Sequence, residues 1–298
     1  MAFGGGLASL SLLLDNQYGW QDTMIIISTF GFASAGLCTA LLPNDPREAQ
    51  ADPNLLTASK SSSEAKESSP PKAESPSSIV GDVVEAFDTT RAKWLYTGAF
   101  LRFCSGLCIG VWSAPYFRMA FPDDASSYAV AQALITGIAG STSGIIGGAA
   151  ADWISSRETS ADDPVGQRLW IPVVGSLLAA PTWYMAIHAD KFETAMAWLA
   201  AEYLVAECWF GPTISSLQAT VGKKIGGTAQ GLFTLTGAFA NTAPTVLGLL
   251  YGQATGTESS SELVNLVATG VCFGYISSAV CFGLSASSSR PEPMSDRP

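Results

Sequence analysis

Charge is what this chain of 298 residues has least of. Asp, Glu, Lys and Arg make up 13% of it, against roughly 25% in an average soluble domain. So few charges cannot furnish a water-facing surface of this size, which argues against the two soluble domains suggested by length alone. Histidine is scarcer still: the single residue, His188, argues against a His-based metal site and against a Ser-His-Asp triad. Basic residues are outnumbered, 15 against 25 acidic for a net charge of −10. That disfavours a nucleic-acid role, because phosphate binding needs a basic surface. The six cysteines, Cys38, Cys104, Cys108, Cys208, Cys272 and Cys281, all lie in apolar stretches without a CxxC spacing. They read as small membrane-core residues rather than a disulfide framework. No metal and no cofactor are expected. Nor is an enzyme, since no loop shows a nucleophile–base pair or a phosphate-cradling glycine loop.

What is present is apolar length. Hydrophobic residues make up 48% of the chain, and its mean hydropathy is +0.27. Crossing about 30 Å of hydrocarbon takes about 20 mostly apolar residues in a helix. Seven stretches meet that length: 23–42, 94–118, 128–150, 169–187, 194–219, 225–251 and 263–284. An eighth, 1–14, is shorter, with Gly4, Gly5 and Gly6 near its start and neither a basic n-region nor a small-residue cleavage site. It reads as the second half of a membrane helix whose beginning is absent, rather than as a signal peptide. A re-entrant or interfacial piece is the alternative.

Residues 44–78 differ in kind, being rich in Ser, Pro, Glu and Lys with almost nothing to bury. Such a composition predicts a disordered linker. After it, Ile79, Val80, Val83, Val84 and Phe87 recur at helical spacing with Asp82, Glu85 and Asp88 among them. That pattern predicts a short amphipathic helix on the membrane surface.

The distribution of Lys and Arg sets an orientation. With alternate loops assigned to alternate sides, the linker residues Arg47, Lys60, Lys66, Lys72, Arg91 and Lys93 share one side with Arg157, Arg168, Lys223, Lys224, Arg290 and Arg297. Only Lys191 and Arg118 fall on the other side, and Arg102 lies inside a span. The Lys/Arg-rich side is therefore expected to be cytoplasmic. The chain divides into 1–43, a remnant of two helices; 44–92, the linker and its short helix; 93–286, a six-helix bundle; and 287–298, a cytoplasmic tail. Six helices after a long cytoplasmic loop is the layout of the second half of a two-halved transporter.

The turn after the second helix of the six reads Gly147-Gly148-Ala149-Ala150-Ala151-Asp152-Trp153-Ile154-Ser155-Ser156-Arg157. It resembles the G-x-x-x-D-(R/K)-x-G-x-R/K loop motif of the major facilitator superfamily, with Trp153 in place of the usual basic residue and the second Gly missing. Small residues permit close helix approach, and the Asp and Arg would pair at a helix end. Tyr18-Gly19-Trp20, followed after a span by Asn44-Asp45-Pro46-Arg47, looks like the loop before helix six and the exit from it in these transporters. Within the superfamily the chain is similar to the Spinster-like group, along 106–117, 133–157, 175–181, Glu207 and 226–250. The resemblance implies an all-α polytopic membrane protein: the six-helix C-terminal bundle of a major-facilitator fold plus one complete and one partial helix of the N-terminal half. It also implies export of lysolipids or sphingoid phosphates, driven by protons, from the plasma membrane or a lysosome- or vacuole-like endomembrane. The partners would be the lipid bilayer, a small amphipathic solute and protons.

Ionisable residues in lipid are costly and tend to face a bundle interior. The six-helix part has Arg102, Glu202 and Glu207. Arg102 is about 12 Å and Glu207 about 18 Å from the cytoplasmic side by helical rise, a gap an extended Arg can bridge. In the superfamily the helices that carry them line the central cavity, so an Arg102–Glu207 pair, or a water-filled site the two share, is the expected core of coupling. Burial makes a carboxyl hold its proton and a nearby Arg loosens it. Glu202, about 140° around the helix from Glu207, cannot share its face, and its place nearer the outer surface lets it reach water. Asn241 with Pro244 is a further candidate, since proline frees a backbone carbonyl near the midplane. Trp112, Tyr116, Trp209 and Phe233 are candidates for lining an apolar cavity, with core packing as the alternative. Gln132 and Thr136 read as packing. The reading that competes with transport is a non-transporting membrane fragment with a scaffold or regulatory role.

Overall fold

The computed structural model describes residues 2–41, 76–157, 163–222, 224–254 and 260–288. Every regular element among them is helical. Most of the expected linker, 44–78, and most of the tail, 287–298, lie outside the described residues.

The first helix, α1 (Ala2–Leu41), runs through both apolar segments of the N-terminal region and breaks at Gly19. Gly19 has φ 79° and ψ 163°, in the left-handed half of conformational space where a side chain is strained. The loop expected around Tyr18-Gly19-Trp20 is thus contracted to one glycine. The part from Tyr18 to Leu41 is apolar enough to cross a membrane. Chain contacts divide the molecule into Ser11–Pro76 and a second unit of Met1–Leu10 with Ser77–Pro298.

The second unit is mainly a bundle. After α2 (Pro76–Ala86), the helix α3 (Thr90–Ala120) begins at Thr89, whose hydroxyl accepts from the Ala92 amide at 3.1 Å, an N-cap that satisfies one orphan donor of the first turn. Next, α4 (Ala125–Leu134) passes through a π turn at Ile135–Gly140 into α5 (Ser141–Arg157). The short α6 (Pro164–Arg168), capped by Asp163, leads into α7 (Trp170–Ile187). Then α8 (Phe192–Ala206) tightens into a 3₁₀ turn at Glu207–Trp209 and resumes as α9 (Phe210–Val221). The last crossings are α10 (Gly226–Ala240) with α11 (Thr242–Ala254), and α12 (Ser260–Ser287).

Among the described residues six helices are long and apolar enough to cross a membrane: 18–41 and five within the bundle. The α8–α9 run, 192–221, is long enough but is not among the six; it carries Glu193, Glu202 and Glu207. The bundle exposes large apolar side chains on its outer faces, including Ile145, Leu178, Leu249 and Phe273. Large apolar side chains exposed along helices of this length and composition mark lipid contact. The protein is an integral, multi-pass membrane protein.

Helix α3 packs most extensively on α12, α12 on α7, and α7 on α8. Two apolar clusters form the interior. One holds Phe117, Tyr128, Trp183 and Tyr275, and the other holds Phe103, Trp209, Phe233 and Phe282. Glycines set the closest approaches, because no hydrophobic force draws helices together in lipid and small residues must let backbones meet. A Cβ at Gly147 would collide with the Cys208 backbone, and one at Gly175 would sit 2.7 Å from the Val205 carbonyl oxygen. The backbone of 205–208 is therefore held between α5 and α7.

Candidate functional site

Arg102 projects from α3 between the two apolar clusters and is 1% exposed. Its Nη2 donates to the Ala206 carbonyl at 2.8 Å and lies 3.5 Å from Glu207 Oε1. Two rings flank the guanidinium, Tyr275 with its centroid at 4.7 Å and Trp209 at 5.4 Å. Both are within cation–π range. Gly106, one turn along α3, leaves space for the cation: a Cβ there would come within 3.3 Å of Nη1. The Arg102 Nε is buried without a hydrogen-bond partner.

Glu207 opens the 3₁₀ turn gripped by Gly147 and Gly175, so the expected pairing with Arg102 has a geometric cause. The turn presents both the Ala206 carbonyl and the Glu207 carboxylate to one guanidinium. The Glu207 side chain is 31% exposed, which leaves part of it open beyond the pair.

Glu202 departs from expectation. It does not reach water but is 2% exposed, with its Oε1 accepting from the Tyr275 hydroxyl. Two other helices bridge Glu202 and Glu207. Arg102 from α3 meets one carboxyl, Tyr275 from α12 meets the other, and Arg102 and Tyr275 touch each other. Next to Glu202, Tyr203 accepts from Gln132 Nε2 at 3.1 Å, and that amide also donates to Thr136 Oγ1 at 3.3 Å. Thr136 lies in the π turn, which packs on α8. Mid-helix irregularities often mark functional positions, and here the π turn and the 3₁₀ turn both border the ionisable cluster.

The other expected site residues are spread more widely. Tyr116 is buried and donates to the Ile187 carbonyl, while Trp209 and Phe233 pack with Phe103 in an aromatic cluster. These three fill the core rather than line an open cavity, because helix carbonyls and neighbouring rings already occupy them. Trp112 is half-buried and donates from Nε1 to the Pro244 carbonyl at 3.0 Å. Asn241 is exposed at the α10–α11 break, where its amide donates to Gly237 at 3.1 Å. Of the loop motif, Gly147 packs on Cys208, Gly148 lies beside Gly211, Asp152 is exposed, and Arg157 ends α5.

A second buried cation was missed at the sequence level. Arg91, 2% exposed, donates from Nη1 to Asp163 Oδ1 at 3.0 Å and from Nε to the Ser285 carbonyl at 3.2 Å. Ser285 returns a bond from its hydroxyl to the Arg91 carbonyl at 3.0 Å. Counting Arg91 with the linker hid it; the Asp163-Pro164 pair, a helix-start signature, was the signal that something ordered lay opposite. Tyr275 was missed too, since a tyrosine in an apolar helix gives no sign of its partner.

A family model for the Major Facilitator Superfamily matches residues 1–245. The chain belongs to the major facilitator superfamily. Among solved structures, it is similar to a bacterial homologue of the human lysosomal transporter Spinster, in an inward-facing and unoccupied conformation. The TM-score is 0.53 with 17% identity, over 96% of this chain. At that identity the likeness is one of fold. The chain spans 65% of the length of that structure. No curated protein matches it.

Proposed function

We propose that this protein is a Spinster-like secondary transporter, in which the bundle supplies one side of an alternating-access site for an amphipathic organic solute of the lysolipid or sphingoid-phosphate class. Transport is coupled to protons, and the linker and C-terminus face the cytoplasm. The observation that carries the reading is the buried cluster of Arg102, Glu202, Glu207 and Tyr275. Membrane proteins keep such groups in their interior at a cost in stability, and they mark proton and substrate paths. Superfamily membership and the Spinster fold support the transport class. The partial exposure of Glu207 supports its role as the member that meets the central pathway.

The test is flux of a fluorescent lysophospholipid in proteoliposomes under an imposed pH gradient. Flux that follows the gradient in the wild-type protein, and loses its pH dependence in Glu207→Gln with helicity unchanged, is the expected result. Unaltered pH dependence in that variant, or no flux from the wild type, overturns the reading in favour of a non-transporting membrane role.

A further inference from the structure

Tyr275 has no task in the pairing of Arg102 with Glu207, yet the fold holds it firmly. It is 1% exposed. The preceding Gly274 lets α12 settle on α3: a Cβ there would overlap the Ser105 hydroxyl and come within 3.5 Å of the Leu101 carbonyl. Ser105 Oγ also contacts the Val271 carbonyl at 3.3 Å. Close packing of the two helices at this point holds Tyr275 against Arg102.

The cluster holds one guanidinium and two carboxyls. Arg102 is engaged by Glu207 and the Ala206 carbonyl. Among the described residues no cation lies within ion-pair distance of Glu202, whose contact is a neutral phenol. The titratable groups facing Glu202 are Arg102 of α3, Tyr275 of α12 and Glu207 of the 3₁₀ turn. Tyr203, beside it on α8, is tied to Gln132. The π turn carries no titratable residue, and on α7 Tyr184 and the adjoining His188 stack on each other at the exposed end. A second ionised carboxyl in this setting is expensive without a cation of its own, so two carboxyls and one cation hold one proton between them.

We propose that the buried Glu202 carries this proton and leaves Glu207 as the charged partner of Arg102, with Tyr275 a positioning residue whose phenol holds the Glu202 carboxyl ready to release it. The proposal rests on the reading of the cluster as the proton-handling part of a transporter, and names which carboxyl does the work. The phenol donates to Glu202 Oε1 and leaves the other oxygen for the proton. When the proton departs to water admitted as α3 and α12 part, the same bond steadies the carboxylate. The new negative charge then competes with Glu207 for Arg102, and the half-open Glu207 is free to turn toward water. Proton release at Glu202 is in this way transmitted to the pathway through Arg102.

Infrared pH titration of the purified full chain in lipid nanodiscs tests this through the carbonyl band of a protonated carboxyl near neutral pH. The band is expected in the wild type and lost in Glu202→Gln, while in Glu207→Gln, which frees Arg102 for Glu202, its midpoint moves down. In Tyr275→Phe, which keeps the ring on Arg102, its titration midpoint rises by about one pH unit, the size of one hydrogen bond to a charged group. Fluorotyrosine at position 275 is a stronger donor, leaves every other group in place and moves the midpoint down. A band that persists unshifted in Glu202→Gln, no band in the wild type, or a midpoint indifferent to both changes at 275 overturns the proposal. No solute enters this measurement, so failure of the transport reading is told apart by the flux assay.

Discussion

Arg102 brings five N–H donors into a site with few acceptors. Its position depends on one carbonyl, one carboxylate and two rings. Replacing it with Met keeps much of the volume but removes the only cation within ion-pair distance of Glu207 among the described residues. The variant is expected to lose pH-dependent flux, as Glu207→Gln does, while unfolding in detergent at a temperature within a few degrees of the wild type. The change stays small because the stranded Glu207 is partly open and can be solvated, whereas breaking a fully buried pair costs several kcal/mol. Collapse of the fold would show the cluster to be structural. Arg102, Glu202 and Glu207 were legible in the sequence because charges stand out in apolar runs. The burial of Glu202 was not, because its partner Tyr275 lies 73 residues away on a helix whose rotation no local pattern reveals. The aromatic residues illustrate the same gap: Trp209 and Phe233 suit a cavity or a core equally well in a sequence, and packing alone decides.

At the scale of helices, the decisive features are the breaks. The break at Gly19 was legible from its flanking aromatic loop signature, but the π turn at 135–140 and the 3₁₀ turn at 207–209 were not, because their residues differ little from ordinary helix formers. Glycines expose the consequence. Gly147→Ala is expected to cost about 1–3 kcal/mol by overpacking against the 3₁₀ turn. Gly144→Ala on the same helix meets nothing within 4 Å and is expected to be neutral or stabilising by up to about 1 kcal/mol from helix propensity. Thermal unfolding of the two variants in one detergent checks the contrast. The Arg91 clasp joins the start of α3, the cap of α6 and the end of α12. Asp163→Asn preserves the N-cap but strands a buried guanidinium, and a loss of roughly 3 kcal/mol is expected. Raised salt should not reproduce that loss, because buried pairs are weakly screened; an equal effect of salt would place the pair at the surface.

For the whole molecule, scarcity of charge is a matter of solvent. The bundle turns apolar side chains outward and keeps its few ionisable groups inside or at helix ends, which is the inverse of a soluble protein. The proposed orientation rests on where Lys and Arg cluster. It predicts that, in sealed vesicles of known sidedness, Lys191→Cys reacts with a membrane-impermeant maleimide from the non-cytoplasmic face and Lys224→Cys from the cytoplasmic face; the opposite pattern inverts the topology. The central claim, that the Arg102–Glu202–Glu207–Tyr275 cluster couples solute to protons, is tested most directly by proton movement itself. A pH-sensitive dye inside proteoliposomes should report proton flux on addition of lysophospholipid to the wild-type protein, and no such flux in Glu202→Gln. Equal proton flux in the two proteins would contradict the account.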